Sequence, residues 1–274
     1  MRISSTDNPI YRRLKQFATS ARACRDAHRT LIEGVHLLQA ALDASVPIRT
    51  LVMRGAEQSA EALALLPTVE AQSKAKLIEL APVLYDAISP VEHGAGLLAE
   101  IEFEAPPWPK QIVDDAIYLD NVQDPGNVGT LLRTAAAAGV RHAIAGAGCA
   151  FLWSPKVMRA AMGAHFVLDL HEQIAPQQVQ DAFAGEILAA EATGGEQIFE
   201  ANWGGGPTVW MFGGEGQGLN AEARAIADRY LSVPINARVD SLNVGAAAAV
   251  CLFEQKRRRH EAALLTDALA SNIK

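Results

Sequence analysis

The chain alternates short apolar runs with amphipathic stretches, which is the pattern of an α/β protein. The alternation is most regular after residue 111, where strand-like segments such as AIYLD and TVWMFGG are separated by helix-like segments such as VGTLLRTAAAAG. This pattern predicts a mostly parallel sheet with helices on both faces. Ligands on such sheets usually bind at the carboxyl ends of the strands, so the loops that leave those ends are the candidate site.

The first hundred residues predict a smaller α/β unit. Asn8 followed by Pro9 is a helix start, and the stretch DNPIYRRLKQFATSARACR reads as one helix. LIEGVHLLQAALDAS predicts a second helix, whereas IRTLVM and GAGLLAEIEF predict strands. Three prolines in EAPPWPKQ predict an extended linker. The predicted organisation is a first domain at 1–104, a linker at 105–111 and a second domain at 112–274.

The charge of the chain is unevenly distributed along the sequence. The 274 residues carry a formal net charge of -7, which argues against indiscriminate binding of polyanions. The first thirty residues nevertheless hold seven cations and two anions, a local balance of +5. The seven cations are Arg2, Arg12, Arg13, Lys15, Arg22, Arg25 and Arg29. Three widely spaced cysteines fit neither a disulfide framework nor a zinc site, so no metal is expected.

The N-terminal segment lacks the apolar core of a signal peptide, and no apolar run reaches the roughly 18 residues of a membrane span. We therefore expect a cytoplasmic protein with no membrane partner.

The first candidate loop is LDNVQDPGNVGTLLRTAAAAGV, residues 119–140. It leaves a predicted strand, turns at Asp124-Pro125-Gly126 and starts a helix that Gly139 can end. An ordinary strand-to-helix turn with Asn127 near the helix start is one interpretation. The other depends on Arg133, a cation on a helix otherwise built mostly of Thr, Leu and Ala, whose guanidinium could donate to a phosphate.

The second candidate loop is MFGGEGQGLN, residues 211–220. Its four glycines allow the backbone to approach a ligand closely, and Glu215 is its only charged residue. It has neither the Lys-Ser/Thr ending of a phosphate-binding P-loop nor the glycine spacing of a dinucleotide site. A flexible surface turn is the alternative interpretation.

The third candidate loop opens VPINARVDSLNVGAAAAVCLFEQKRRR, residues 233–259. Ser241 and Asn243 can accept bonds from the first amides of a helix predicted from Leu242 to His260, although a cap needs only one such residue. The Ala/Val/Leu face of that helix predicts burial against another helix or subunit. The cations at 256–259 are interpreted as a solvated helix end, with RNA contact as the alternative.

Together the three loops resemble the three motifs of the SpoU/TrmH family of RNA ribose methyltransferases, over residues 117–256. LIEGVHLLQAAL resembles, less distinctively, the ribosomal-protein-like substrate-binding domain of that family. The resemblance implies a C-terminal SPOUT-class domain with a parallel sheet and a deep trefoil knot, preceded in the chain by a smaller α/β RNA-binding domain. It further implies methyl transfer from S-adenosylmethionine to a ribose 2′-hydroxyl of structured RNA, tRNA or rRNA, by a homodimer formed through the C-terminal helix.

The resemblance also implies roles for particular residues. The positions that match the methyl-donor pocket are Gly213, Gly214, Gly218, Val233, Ile235, Leu242 and Asn243. The positions that match catalytic residues are Arg133, Asn127, Glu215, Ser241 and Asn243. Arg133 would either assist deprotonation or bind an RNA phosphate, and we favour the phosphate because arginine almost never loses its proton.

Two positions depart from the family pattern. Ala161 stands where many relatives have a hydroxyl residue, and His93 stands where relatives often have glutamine. The effect of either departure on substrate choice is left open.

Two other functions are alternatives to methyl transfer. An RNA-binding or assembly protein could keep the fold without turnover, and it would bind RNA without needing a methyl donor. A nicotinamide-dependent enzyme would need a phosphate-binding glycine turn after an early strand, and GAGCAF at residue 146 lacks the full spacing.

Overall fold

The computed structural model describes residues 1–56, 58–91 and 94–271, with side chains as far as residue 265. His93, one of the two departures from the family pattern, lies outside the described residues. The chain forms two compact units. The first comprises Met1–Ala105 and Phe151–Phe166, and the second comprises Pro106–Ala150 and Val167–Lys274. Residues 151–166 therefore pack with the first unit, although the sequence boundary puts them in the second domain.

The strands and helices are numbered in chain order. The strands are β1 (Arg2–Ile3), β2 (Arg29–Glu33), β3 (Ile48–Arg54), β4 (Lys76–Leu80), β5 (Leu97–Glu102), β6 (Ala116–Asp120), β7 (His142–Ala145), β8 (Asp169–Glu172), β9 (Glu186–Glu191), β10 (Glu196–Gln197), β11 (Thr208–Gly213) and β12 (Arg229–Ser232). The helices are α1 (Pro9–Thr19), α2 (Ala21–Ala27), α3 (Val35–Asp43), α4 (Ala60–Gln72), α5 (Pro82–Asp86), α6 (Pro125–Ala138), α7 (Pro155–Ala161), α8 (Pro176–Ala182), α9 (Ala221–Ala225) and α10 (Val244–Ser271).

The first unit contains a five-stranded mixed sheet in the order β1-β4-β3-β5-β2. The predicted helix that starts after Asn8 is wrong in its length, because the chain bends at Ser20. Ser20 has extended backbone angles and starts α2 by accepting a hydrogen bond from the amide of Ala23 at 3.2 Å. The second predicted helix is also wrong at its start. Leu31 to Glu33 pair with β5 as part of β2, and Gly34, with φ of +100°, separates this strand from α3.

Residues 151–166 pack against β2 and the end of β5 in the first unit. The Thr30 hydroxyl donates to the carbonyl oxygen of Trp153 at 2.6 Å, and the Trp153 ring stacks on Phe103 with centroids 4.5 Å apart. Residues 164–166 form a 3-10 turn, and β8 begins at Asp169.

The second unit contains a seven-stranded sheet in the order β10-β12-β9-β11-β6-β7-β8, in which every neighbouring pair is parallel. The predicted parallel sheet is confirmed. Val179 of α8 and Ala223 of α9 join a core with Val209 and Met211 of β11. Helix α10 packs against α6 and also contacts β9 and β11. Among the described residues, no helix is both long and apolar enough to cross a lipid bilayer.

Helix α10 runs eleven residues beyond the predicted end at His260. The three arginines at 257–259 form ion pairs within the chain, although Arg257 is exposed. Arg257 and Arg258 both bind Glu254 at 2.7 Å, and Arg259 binds Asp115. Arg258 also donates to the carbonyl oxygens of Ile198 at 2.6 Å and Ala201 at 2.7 Å. The predicted helix end is therefore wrong, because α10 continues to Ser271, whereas Lys256 and Arg257 are exposed as expected of solvated cations. The RNA-contact alternative has no support in these contacts.

Gln255 ties α10 to the middle of the sheet. It is 4% exposed, and its side-chain oxygen accepts hydrogen bonds from the indole of Trp210 at 2.6 Å and from the hydroxyl of Thr208 at 2.8 Å. Two donors from β11 therefore meet one acceptor on α10, which fixes the register of the helix on the strand.

Candidate active site

A cleft of about 670 Å³ lies at the carboxyl ends of β9, β11 and β12, below the first turns of α10. It is formed by the ends of these strands, the glycine-rich loop after β11 and the loop before α10. Its lining residues are Ala190, Glu191, Ala192, Thr193, Phe212, Gly213, Gly214, Glu215, Gly216, Gln217, Gly218, Leu231, Val233, Ile235, Ser241, Leu242, Asn243, Val244, Ala247 and Cys251. The cleft thus lies at the edge of the sheet that the strand pattern indicates.

The residues predicted for donor binding meet in this cleft. All seven of them line it, although two come from the loop after β12 and two from the segment just before α10. Glu215 and Ser241, which were predicted as catalytic, line it as well. Asn127 does not line the cleft but contacts it through hydrogen bonds. The roles of these residues stay predictions.

The loop at 213–220 needs glycine for close packing. A β-carbon on Gly213 would lie 2.1 Å from the carbonyl carbon of Gly218, and one on Gly214 would lie 2.4 Å from the carbonyl oxygen of Asn121. Gly218 has φ of +65°, and its amide donates to the carbonyl oxygen of Gly214 at 3.0 Å. The loop is therefore a tight turn with bare backbone facing the cleft.

A hydrogen-bonded triad of Asn127, Glu215 and Asn243 joins the three predicted loops. The Asn127 amide donates to Oε1 of Glu215 at 2.7 Å. The Asn243 amide donates to the same oxygen at 3.1 Å and to Oδ1 of Asn127 at 2.9 Å. Asn243 also accepts from the amide of Gly245 at 2.9 Å, as expected for a helix cap, and this fixes the direction of its NH₂ group.

The triad leaves one oxygen of Glu215 open. Oε1 receives both amide donors, whereas Oε2 has no hydrogen-bond partner among the residues that the structure describes. The carboxylate is thus held at one oxygen and available at the other.

The charges in the cleft are acidic. Glu191 and Glu215 are among its lining residues, and none of the described lining residues is Lys, Arg or His. Glu191 is paired with Arg224, which does not line the cleft. Burial raises the pKa of Cys251 to about 12, so this lining residue is a neutral thiol. Such a cleft suits a cationic ligand and disfavours a pyrophosphate.

Arg133 is not among the lining residues. It lies six residues after Asn127, which on an ideal helix is about 9 Å along the axis and about 240° around it. It is exposed, and within the described parts of the chain it makes no hydrogen bond or ion pair. Arg133 lies between Thr130 and Ala137, on the part of α6 that runs beside α10. Thr130 packs against Gly245 of α10, and the carbonyl oxygen of Ala137 is 3.4 Å from Nζ of Lys256.

The wall of the cleft formed by residues 190–193 was not predicted from the sequence. Residues 190 and 191 end β9, and residues 192 and 193 begin the loop that continues into Gly194 and Gly195, a glycine pair that was not considered as a candidate site. Only the order β12-β9-β11 brings the end of β9 between the two recognised loops. Signals in a single sequence do not give strand order, so this wall could not be predicted.

Comparison with known proteins gives consistent matches to RNA methyltransferases. The SpoU rRNA Methylase family model matches residues 115–253. An uncharacterised tRNA/rRNA methyltransferase of Synechocystis sp. is 30% identical over 264 residues, which is 94% of each chain. The 23S rRNA (guanosine-2′-O-)-methyltransferase RlmB of Bordetella pertussis is 33% identical over 52% of this chain and 59% of its own length.

A solved structure extends the match to nearly the whole fold. The SpoU methyltransferase AviRb from Streptomyces viridochromogenes, in complex with AdoMet, has a TM-score of 0.82 and 25% identity over 92% of this chain and 98% of its own. The fold is therefore that of a SpoU methyltransferase. The chain belongs to the SpoU rRNA methylase family.

Proposed function

We propose that the protein transfers a methyl group from S-adenosylmethionine to a ribose 2′-hydroxyl of structured RNA, tRNA or rRNA. The observation that carries this proposal is the meeting of three loops, far apart in sequence, at one cleft beside the Asn127–Glu215–Asn243 triad. Ribose specificity is supported by the RlmB relative, whose name gives the 2′-oxygen as its target.

The cleft fits the proposed donor. Its volume is within the roughly 300–1,000 Å³ of small-molecule sites, and its acidic lining matches a sulfonium cation. The backbone at 213–218, together with Val233, Ile235 and Leu242, would hold the nucleoside and methionine parts. When bound, S-adenosylmethionine supplies an activated methyl group, so the protein has to align the acceptor oxygen and accept its proton.

Glu215 is the group in the cleft best suited to accept that proton. Its Oε2 is open, while two amides fix Oε1 and hold the carboxylate in place. The other lining carboxylate, Glu191, is paired with Arg224. Arginine is a poor acceptor because it stays protonated. The proton would pass from the ribose hydroxyl to Oε2 of Glu215 and then to water.

Arg133 would bind an RNA phosphate in the cleft of a partner subunit. On an ideal helix it lies about 9 Å along α6 from Asn127 of the triad and about 120° around it by the shorter way, and it does not line the cleft of its own chain. Phe253 of α10, 46% exposed, and the exposed Ala246 lie along the same helix. This arginine-bearing surface of small and apolar residues is suited to a homodimer interface. The homodimer expected from the sequence is thus part of the proposal.

The trefoil knot is also part of the proposal. The chain leaves β12, runs through residues 233–243 beside the cleft, and enters α10, which packs on the helix that follows β6. β6 lies three places from β12 in the sheet. A chain that crosses three strand positions in this way could pass through an earlier loop, as a trefoil knot requires. The expected cytoplasmic location likewise stays a proposal.

The first unit would bind RNA through one face. It holds 13 Lys and Arg and 13 Asp and Glu, whereas the second unit holds 11 and 18. The charges of the neutral first unit are nevertheless segregated. Its exposed cations on α1, α2 and α7 are Arg12, Lys15, Arg22, Arg25, Lys156 and Arg159, against one exposed anion on these helices, Asp26, which pairs with Arg22; the exposed anions on α3 and α4 are Asp43, Glu61 and Glu70. The outer face of α1, α2 and α7 is therefore suited to a phosphate backbone.

A transfer assay tests the proposal. Purified protein and S-adenosylmethionine labelled in its methyl group are incubated with total RNA from cells that lack the gene. The RNA is then digested to nucleosides, and we expect the label in a 2′-O-methylnucleoside. Label in a base would contradict ribose specificity. RNA binding without donor binding or transfer would favour the alternative, an RNA-binding or assembly protein without turnover.

A further inference from the structure

We propose that Asp120 positions the glycine loop of the cleft, residues 213–220, and thereby sets the affinity for the methyl donor without touching it. This inference rests on the proposed donor site. Asp120 is the last residue of β6, is 2% exposed, and is not among the lining residues of the cleft.

Both ends of the loop are fixed to Asp120. At the start of the loop, Gly213 pairs with Asp120 in the sheet, and the amide of Gly214 donates to the carbonyl oxygen of Asp120 at 2.9 Å. At the end, the backbone amide of Asn220 donates to Oδ2 of Asp120 at 2.6 Å, and its side-chain amide donates to Oδ1 at 2.7 Å. One buried residue therefore closes the turn that faces the cleft.

The chemistry of this contact requires a carboxylate at position 120. Asn220 is the N-cap of α9, and its Oδ1 accepts from the amide of Ala223 at 2.8 Å. Its NH₂ group must therefore point to Asp120, which has to accept at both oxygens. An asparagine at 120 would accept one hydrogen bond but would place its NH₂ against the NH₂ of Asn220.

Burial raises the pKa of Asp120, with the Asn220 backbone amide acting in the opposite sense. Among the described residues the carboxylate has no ion-pair partner and is held by hydrogen-bond donors alone. A charge buried on these terms is costly for the fold. The buried carboxylate holds the loop in place, and this loop carries Glu215 of the triad and the bare backbone that faces the donor cleft. If the hydrogen bonds between Asp120 and the loop are lost, Glu215 and this backbone are displaced together.

The test exchanges the two side chains in the full-length protein. We expect Asp120→Asn to weaken S-adenosylmethionine binding at least tenfold by calorimetry. Asn220→Asp should do the same, because it places two carboxylates together. The double variant Asp120→Asn/Asn220→Asp re-forms all three hydrogen bonds with the roles exchanged, and we expect its affinity within threefold of the wild-type value. Asp169→Asn, at the start of β8 and paired with Arg141, is the matched control and should keep wild-type affinity.

Hydrogen exchange of the loop amides gives a readout that needs no donor. Exchange at 214–220 should rise in each single variant and return to the wild-type rate in the double variant. Wild-type affinity and exchange in Asp120→Asn, or a double variant no better than the single ones, would overturn the inference. A wild-type protein that fails to bind S-adenosylmethionine would refute the proposed donor site, and the exchange rates would still decide whether Asp120 holds the loop. If Asp120→Asn does not fold, Asn220→Ala at an exposed position removes the same side-chain bond.

Discussion

Replacing Gly213 with alanine should weaken donor binding much more than it destabilises the fold. The added β-carbon would lie 2.1 Å from the carbonyl carbon of Gly218, and 2.4 Å from both the oxygen of Gly218 and the amide nitrogen of Leu219. All three atoms belong to the backbone, so no side chain can rotate away. Since ordinary contact begins near 3.4 Å, the loop has to retreat by about 1.3 Å.

The size of each effect follows from where the loop lies. Inserting a methyl group where it does not fit typically costs about 1–3 kcal/mol. Residues 215–218 are exposed, so the loop can move outward and the cost in stability should be near the lower limit. That outward movement changes the surface offered to the donor. We expect tenfold to hundredfold weaker S-adenosylmethionine binding, which is about 1.4–2.7 kcal/mol.

Calorimetry measures the donor affinity of this variant, and urea unfolding measures its stability. Gly216→Ala is a control within the same loop, because its φ of +88° adds backbone strain but its β-carbon would meet no atom within 4 Å. Gly205→Ala, with neither strain nor contact, should be neutral. Normal donor binding by Gly213→Ala, or equally weak donor binding by Gly216→Ala, would contradict this prediction.

Three further predictions concern other parts of the molecule. Arg133→Ala should abolish methyl transfer while calorimetry gives S-adenosylmethionine affinity within twofold of wild type, because Arg133 does not line the cleft; equal loss of both would refute the phosphate role. Hydrogen bonds from Arg257, and to a smaller extent from Arg258, lower the pKa of Glu254 to about 2. The stability that ionised Glu254 contributes to the folded protein is therefore complete above pH 4.5 and is lost as the pH falls toward 2. Glu254→Gln should remove about 2 kcal/mol of that dependence in urea unfolding, and an unchanged slope would contradict the assignment. Burial lowers the pKa of His165 to about 4, so stability should fall by about 3 kcal/mol as the pH drops from 6.5 to 4. The variant His165→Gln should flatten this slope in urea unfolding and leave the parts due to His171 and His142, whose pKa values burial also lowers.

The sequence predicts the second unit better than the first, for a physical reason. Strands buried in a parallel sheet are short continuous apolar runs, and the helices between them are amphipathic, so β6, α6 and β11 can be recognised locally. β2 is different, because Leu31 and Ile32 run directly into a helical pattern, and their pairing with β5 depends on residues about seventy positions away. The environment of the arginines at 257–259 also depends on distant partners, since Arg259 pairs with Asp115 at a separation of 144 residues.

The candidate site shows the same division. No single turn or helix cap requires all the glycines and asparagines of the three loops. Their occurrence together is therefore specific to the family motifs, and it identifies the cleft. The direction of Arg133 could not be predicted, because a helical pattern does not give the rotation of a helix relative to a site on another element. Residues 190–193 were missed because their part in the cleft depends on strand order.

The contact between Gln255 and β11 bears on how genetic screens of this protein should be interpreted. The same helix supplies Val244, Ala247 and Cys251 to the back of the cleft, so any shift at Gln255 is transmitted to the cleft as a displaced wall. Inactivating substitutions isolated at Thr208, Trp210 or Gln255 would then resemble lesions in the catalytic centre, although none of these three side chains meets either reactant.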